Sequence, residues 1–360
     1  MSRPPFFEVL PTRVRRNYTG GALLERWTDT GPGADGDRPE DWIASTTEAK
    51  NPGLAPRAAE GITRVRAPGD TESDLRTEIA RDPAYHLGAS HVRTQGNEIG
   101  FLAKILDSSI RLHIQAHPTA AFSREHLGSR YGKLEAYVIL GARDGCDPYV
   151  LLGFKHAPSP DAWRRIIAEQ DLAAMHACLN RVPVRAGEIW LVPGGLPHAI
   201  GEGVLMLEVM EPSDWVVRCE FEREGIVVPP AGRYMGRDLD FCLRIFDYQS
   251  YDEDAIRAKC RLAPRVVAQS DSCFEEELVG PAHTDCFVVR RLRAPGPTPV
   301  SRAGRFRLLL VTAGTGALES GDAVQPLKPG SRVLLPAGAD RCRLIPSPDS
   351  TLETIVCLPG

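Results

Sequence analysis

One pattern occurs twice in this chain and constrains its fold more than any other feature. Gly187–His198 reads GEIWLVPGGLPH, and Gly330–Arg341 reads GSRVLLPAGADR. Both fit G-x5-P-x-G, with an apolar, β-like stretch between glycine and proline and a polar residue three positions after the last glycine. Glycine supplies turns that other residues resist, and proline cannot continue a central strand. Each copy therefore reads as a turn, a strand, and a tight turn that presents its final residue. That residue is His198 in the first copy and Arg341 in the second. The simplest account is a duplicated unit, one copy able to bind a metal and the other not.

The remaining turn formers agree. The chain has 33 glycines and 30 prolines, dispersed between short apolar runs rather than clustered. That spacing predicts many short strands and a mainly β protein. Leu134–Leu140, Arg185–Val192 and Phe306–Thr312 are candidate strands. The clearest helical region is 159–181. Ser159 suits an N-cap with Pro160 at the first helical position, and Trp163, Ile166, Ile167, Met175, Cys178 and Leu179 recur at mostly helical spacing. Thr119–Arg130 has room for a short helix. Proline- and glycine-rich loops at Val228–Gly232 and Pro295–Pro299 are candidate boundaries.

Charge and cysteine content exclude several classes. Lys and Arg number 43 against 47 Asp and Glu, a net charge of −4, which argues against a dedicated nucleic-acid binder. No run approaches the ~18 apolar residues of a membrane span. The N-terminal stretch lacks the apolar core of a signal peptide. Nine cysteines are scattered without a C-x-x-C pair, so neither a disulfide framework nor a thiolate zinc site is indicated. The expectation is a cytoplasmic protein with reduced cysteines, monomeric or homodimeric, with no nucleic-acid or membrane partner.

The pattern Gly187…Pro193-x-Gly195-x-x-His198 resembles the second signature motif of cupins, small antiparallel barrels that hold a metal inside one end. Upstream, RLHIQAHP offers Gln115 and His117, and GKLEAY offers Glu135. The ordered blocks EDWIAST, LAKILD, HIQAHP, GKLEAY, PGGLPHAIG and SDWVVR resemble type I phosphomannose isomerases over about residues 40–225. The resemblance implies a mainly β bicupin with two jelly-roll barrels. Residues 1–228 would form a metal-binding domain carrying the helical insertion, and 229–360 a degenerate cupin domain without metal. It also implies a zinc site made of Gln115, His117, Glu135 and His198. Bottom-up chemistry is compatible. Gln115 and His117 are two apart, so on a strand they share a face. A nitrogen and oxygen donor set without thiolate suits Zn²⁺ and leaves Fe²⁺ or Mn²⁺ open.

The family interconverts mannose 6-phosphate and fructose 6-phosphate through a cis-enediol. By resemblance, Arg218 stabilises the enediolate, Lys104 acts as base or substrate ligand, Lys133 faces the sugar, and Asp214 orients water or a hydroxyl. A lysine base needs a lowered pKa, expected here from a nearby metal or arginine. Arg111 and His113 are expected to bind substrate. Three positions depart from the family. His113 replaces a usual serine, Thr119 a usual Asp or Asn after the HP pair, and Gly132 a histidine that some relatives carry. These departures motivate the alternatives of a cupin oxygenase or epimerase, or a non-catalytic sugar-binding cupin.

Overall fold

Apolar runs cut by turns give strands of two to eight residues, almost all antiparallel. They are seen in a computed structural model that describes residues 3–69, 71–300 and 304–360. Seven strands form one sheet, in the order Arg261–Leu262, Ile189–Val192, Glu135–Ala142, Val204–Met210, Leu102–Asp107, Glu40–Ala44 and Arg13–Val14. Five more form a second sheet: Leu179–Pro183, Tyr149–Phe154, His198–Ile200, Gln115–Ala116 and Val217–Arg218. One apolar core fills the space between them, where Leu106, Tyr137, Ile139 and Trp190 meet Val150, Leu152, Val182 and Ile200. A nine-stranded and a four-stranded sheet close a second barrel around Val288, Leu309, Val333, Leu318 and Leu344. The protein is a bicupin.

The period-two alternation of strands explains how the barrels join. Tyr137 and Ile139 point into the first barrel, while Ala136 and Val138 point out of it. Leu309 points into the second barrel, while Leu308 and Leu310 point out. The outward residues of both sheets share a single core with Leu207, Val289 and Ile355. Strands buried on both faces read as continuous apolar runs, as LLLV in the second barrel does.

Strand pairing crosses the expected boundary near residue 228 in both directions. Phe7–Val9 pairs with Arg332–Leu335 of the second barrel, and Arg261–Leu262 pairs with Ile189–Val192 of the first. Ile256 and Cys260 belong to the first barrel's core.

The helical insertion forms as two helices, Pro160–Glu169 and Leu172–Cys178. Ser159 accepts a hydrogen bond from the Ala162 N–H at 3.2 Å, as its capping role requires. Trp163, Ile167 and Met175 form the buried face. The helix does not reach 181. Leu179 starts a strand paired with Tyr149–Phe154, because cross-strand hydrogen bonds override local helical spacing. Short helices at Ala22–Thr28, Leu75–Arg81, Pro83–Leu87 and Ala89–Gln95 had no clear sequence signal. No helix among the described residues is long and apolar enough to cross a membrane.

Both repeat copies begin at a glycine with positive φ, Gly187 at 86° and Gly330 at 85°, and both run into a strand. Their ends differ. His198 is buried inside the first barrel, whereas the Arg341 side chain is 87% exposed.

Candidate active site

Register brings the candidate residues together. His198 lies directly opposite Gln115, and Gln115 directly opposite Arg218, on three adjacent strands. Directly opposed residues of antiparallel strands share a face, so all three side chains face the same side. On the facing sheet, Trp42, Lys104, Glu208 and Tyr137 form a second row across four strands. Glu135 sits two residues before Tyr137, hence on the same face.

His117, Glu135 and His198 are fully buried, and their donor atoms lie within 4.8 Å of one another. The His117 Nδ1 is 2.7 Å from the Trp215 carbonyl, and the His198 Nδ1 is 2.9 Å from the Leu196 carbonyl. Each backbone acceptor holds the proton on Nδ1 and leaves Nε2 as a lone-pair donor toward the cluster. The Tyr137 hydroxyl donates to Glu135 Oε2 at 2.6 Å and orients that carboxylate. Gln115 Nε2 lies 3.5 Å from His198 Nε2, and rotation of the amide turns its oxygen to the same centre. Burial, then Lys133, lowers the His117 pKa to about 3, so the imidazole is neutral. His117 Nε2 is buried without a hydrogen-bond partner among the described residues, although Glu135 Oε1 is 3.1 Å away. An orphaned buried nitrogen beside a carboxylate and a second imidazole fits a divalent metal.

Close backbone contact sets this geometry. A Cβ at Gly132 would sit 2.5 Å from the Pro118 carbonyl oxygen, and one at Gly194 would sit 2.7 Å from it. The turn after His117 therefore nests against the loops leading to Glu135 and His198, and only glycine permits it. The His117 carbonyl accepts from the Gly195 N–H at 2.7 Å. Thr119 caps the helix Ala120–His126, its Oγ1 accepting from the Phe122 N–H. A histidine has no room at position 132.

A charged network lies beside the cluster. Lys104 Nζ is 3.2 Å from Glu208 Oε2 and 3.3 Å from Glu40 Oε1. Glu40 also accepts from the Tyr18 hydroxyl and the Trp42 indole, each at 2.7 Å, and lies 3.3 Å from Arg16 Nε. Burial alone would raise the Glu40 pKa, but Arg16 and Lys104 hold it at about 2. Burial would lower the Lys104 pKa, but Glu208 and Glu40 raise it instead. The two carboxylates thus outweigh both desolvation and the neighbouring Arg16, so the arginine does not lower the lysine pKa as expected. Burial and Glu135 push Glu208 up to about 8, and its Oε1 is unpartnered among the described residues. Lys133 Nζ lies 3.2 Å from Glu135 Oε1.

Arg218 is buried and donates to the Gly232 carbonyl at 2.8 Å and to Asn17 Oδ1 at 3.4 Å. Desolvation, then Arg16, lowers its pKa to about 10, which still leaves it charged. His113 lines the cleft with Asn17 and the Ile226 carbonyl as neighbours, and burial lowers its pKa to about 4. Asp214 lies just behind, against Arg16 and the Lys50 backbone.

Arg111 is a correction. It does not line the cleft. Its guanidinium is buried and committed to Glu220 at 2.7 and 2.8 Å and to the Leu112 carbonyl at 2.6 Å. Sequence reasoning also missed Arg16, Tyr18, Glu40 and Glu208. Glu208 carried a signal, being a lone acid inside the apolar run VLMLEVM.

No protein-family model matches the chain. Two curated relatives are similar to it: the mannose-6-phosphate isomerase of Streptococcus mutans, 28% identical over 71% of this chain and 75% of the relative, and the mannose-6-phosphate isomerase of Bacillus subtilis, 26% identical over 69% and 73%. The solved structure of the Bacillus subtilis mannose 6-phosphate isomerase superposes with a TM-score of 0.73 over 99% of both chains at 19% identity. A mannose 6-phosphate isomerase structure bound with zinc and yttrium superposes with a TM-score of 0.70 over 99% of this chain at 16% identity. Fold and cluster together define a bicupin with a histidine–glutamate site able to hold a metal ion. Its sequence relatives and its fold are those of the phosphomannose isomerases.

Proposed function

We propose that this chain interconverts mannose 6-phosphate and fructose 6-phosphate, using zinc held by Gln115, His117, Glu135 and His198. The observation that carries this reading is the buried His117–Glu135–His198 cluster set beside the Lys104–Glu208 pair. Zinc bound there would polarise the sugar's carbonyl and hydroxyl oxygens. Glu208, with a free carboxylate oxygen and a raised pKa, takes the proton from C2 of the open-chain aldose and returns it at C1. Lys104, kept charged by its two carboxylate neighbours, donates to a sugar oxygen rather than serving as the base. Arg218 stabilises the enediolate, Lys133 steadies Glu135 and faces the sugar, and His113 contacts the substrate as a neutral imidazole. The Gly132 backbone leaves no histidine at that position to open the sugar ring.

The protein works in the cytoplasm as a monomer or homodimer, without nucleic-acid or membrane partners. Scattered cysteines without a paired motif and the near-neutral charge support this. Residues 229–360 serve as structure, consistent with the exposed Arg341 at the repeat position that His198 holds in the first copy.

Arg218→Ala tests the reading. It is expected to retain stoichiometric zinc and lower kcat by about 10²- to 10³-fold, the usual cost of one oxyanion-stabilising donor. Zinc-loaded Arg218→Ala with unchanged turnover would contradict it.

A further inference from the structure

The mechanism above gives no task to Arg16, a buried cation of the cleft lining. Arg16 has a side chain only 7% exposed, yet its Nε and Nη1 have no hydrogen-bond partner among the described residues. Its ion-pair distances to Glu40 and Asp214, 3.3 and 3.4 Å, are long. A guanidinium is the most effective side chain for forked recognition of phosphate, and leaving its N–H groups buried and unpaired is costly.

Position gives those N–H groups a use. Arg16, Asn17 and Arg218 line both the inner cleft that contains Gln115 and Glu135 and an outer vestibule of about 340 Å³. They therefore stand where the two join. Lys50, exposed and also lining the vestibule, rests over the Trp215 ring with Nζ 4.6 Å from its centroid. Asp214 organises both cations. One oxygen lies 3.4 Å from Arg16 Nη2, and the other accepts from the Lys50 backbone N–H at 3.0 Å. The cleft lining itself carries four cations, Arg16, Lys104, Lys133 and Arg218, against three carboxylates. That surplus, increased by any divalent metal, suits a dianionic substrate better than a neutral sugar.

We propose that Arg16, with Lys50 across the vestibule and Asp214 behind it, recognises the phosphate group of the substrate. This deepens the isomerase reading and rests on it for the identity of the sugar. In this arrangement Asp214 is a positioning residue.

The test pairs kinetics with direct phosphate binding. Arg16→Lys keeps a cation near Glu40 and Asp214 but loses the fork, and Arg16→Gln loses both. Each variant, checked for zinc content and melting temperature, is expected to raise KM for mannose 6-phosphate and the Ki of inorganic phosphate by about 10- to 100-fold, with a much smaller change in kcat. Lys50→Ala, a surface change that leaves folding intact, should raise both by a few-fold. Calorimetric titration of wild-type protein with inorganic phosphate provides a readout independent of turnover. If wild type binds phosphate and Arg16→Lys does not, the subsite stands even where mannose 6-phosphate is not turned over, and only the isomerase reading falls. Unchanged KM and Ki in folded Arg16→Lys and Lys50→Ala, or no phosphate binding by wild type, would overturn the proposal.

Discussion

Lys104 and Glu208 stand directly opposite one another on neighbouring antiparallel strands, with Nζ 3.2 Å from Oε2 and both side chains buried. The pair reverses the usual logic of a catalytic lysine. The ammonium stays charged because two carboxylates face it, while the carboxylate opposite is raised by burial and Glu135. In the proposed mechanism, proton transfer then falls to Glu208 and charge stabilisation to Lys104.

Lys104→Met should therefore lose both activity and stability. It strands Glu40 and Glu208 without their shared cation, a loss of about 3–5 kcal/mol for a broken buried pair. Adding Glu208→Gln should recover part of that stability in urea denaturation and none of the turnover. Recovery of turnover in the double variant would rule out the assigned roles.

Metal removal should be visible in the melting temperature. At free zinc about 100-fold above its Kd, the folded state gains about 2.7 kcal/mol, lost on chelation and regained on adding zinc back. His117→Ala removes a proposed ligand whose Nε2 has no other partner among the described residues, so its melting temperature should no longer respond to zinc. A zinc-responsive His117→Ala protein would place the metal elsewhere.

Arg111 should behave as a structural residue. Arg111→Met leaves Glu220 buried and unpaired, so calorimetry should show a loss of about 3–5 kcal/mol. KM for mannose 6-phosphate, measured on the folded fraction, should stay within about twofold, since a lost substrate hydrogen bond costs more. A large KM increase would restore the substrate role expected from sequence.

Acid should weaken the fold partly through Glu60. Its hydrogen bonds with the Arg15 side chain lower its pKa from 4.5 to about 2, against an opposing burial effect. A depressed folded pKa stabilises above the unfolded value and loses that contribution as pH falls. Stability should thus drop between about pH 4.5 and 2. Glu60→Gln should flatten this part of the stability–pH curve, and an unaltered slope would assign the acid sensitivity to other groups.

What was legible in the sequence follows from what is local. The G-x5-P-x-G repeat exposed the turns around Ile189–Val192 and Arg332–Leu335, and the Ser159 cap marked a helix start. The candidate metal-site residues Gln115, His117, Glu135 and His198 were visible as motif positions, whereas the convergence of His117, Glu135 and His198 depends on the Pro118 turn nesting on Gly132 and Gly194. Arg16 and Glu40 could not be found locally. They reach the cleft from strands or loops more than sixty residues before Lys104, and only pairing brings them there. Arg111 misled because it sits beside the HIQAHP block while its guanidinium turns to Glu220, 109 residues away.

The most direct test of the account is proton NMR of mannose 6-phosphate incubated with zinc-loaded protein in D₂O. The account predicts conversion to fructose 6-phosphate, with solvent deuterium appearing at C1 in the fraction of turnovers where the proton on Glu208 exchanges. Mannose 6-phosphate left unchanged by folded, zinc-loaded protein would contradict it.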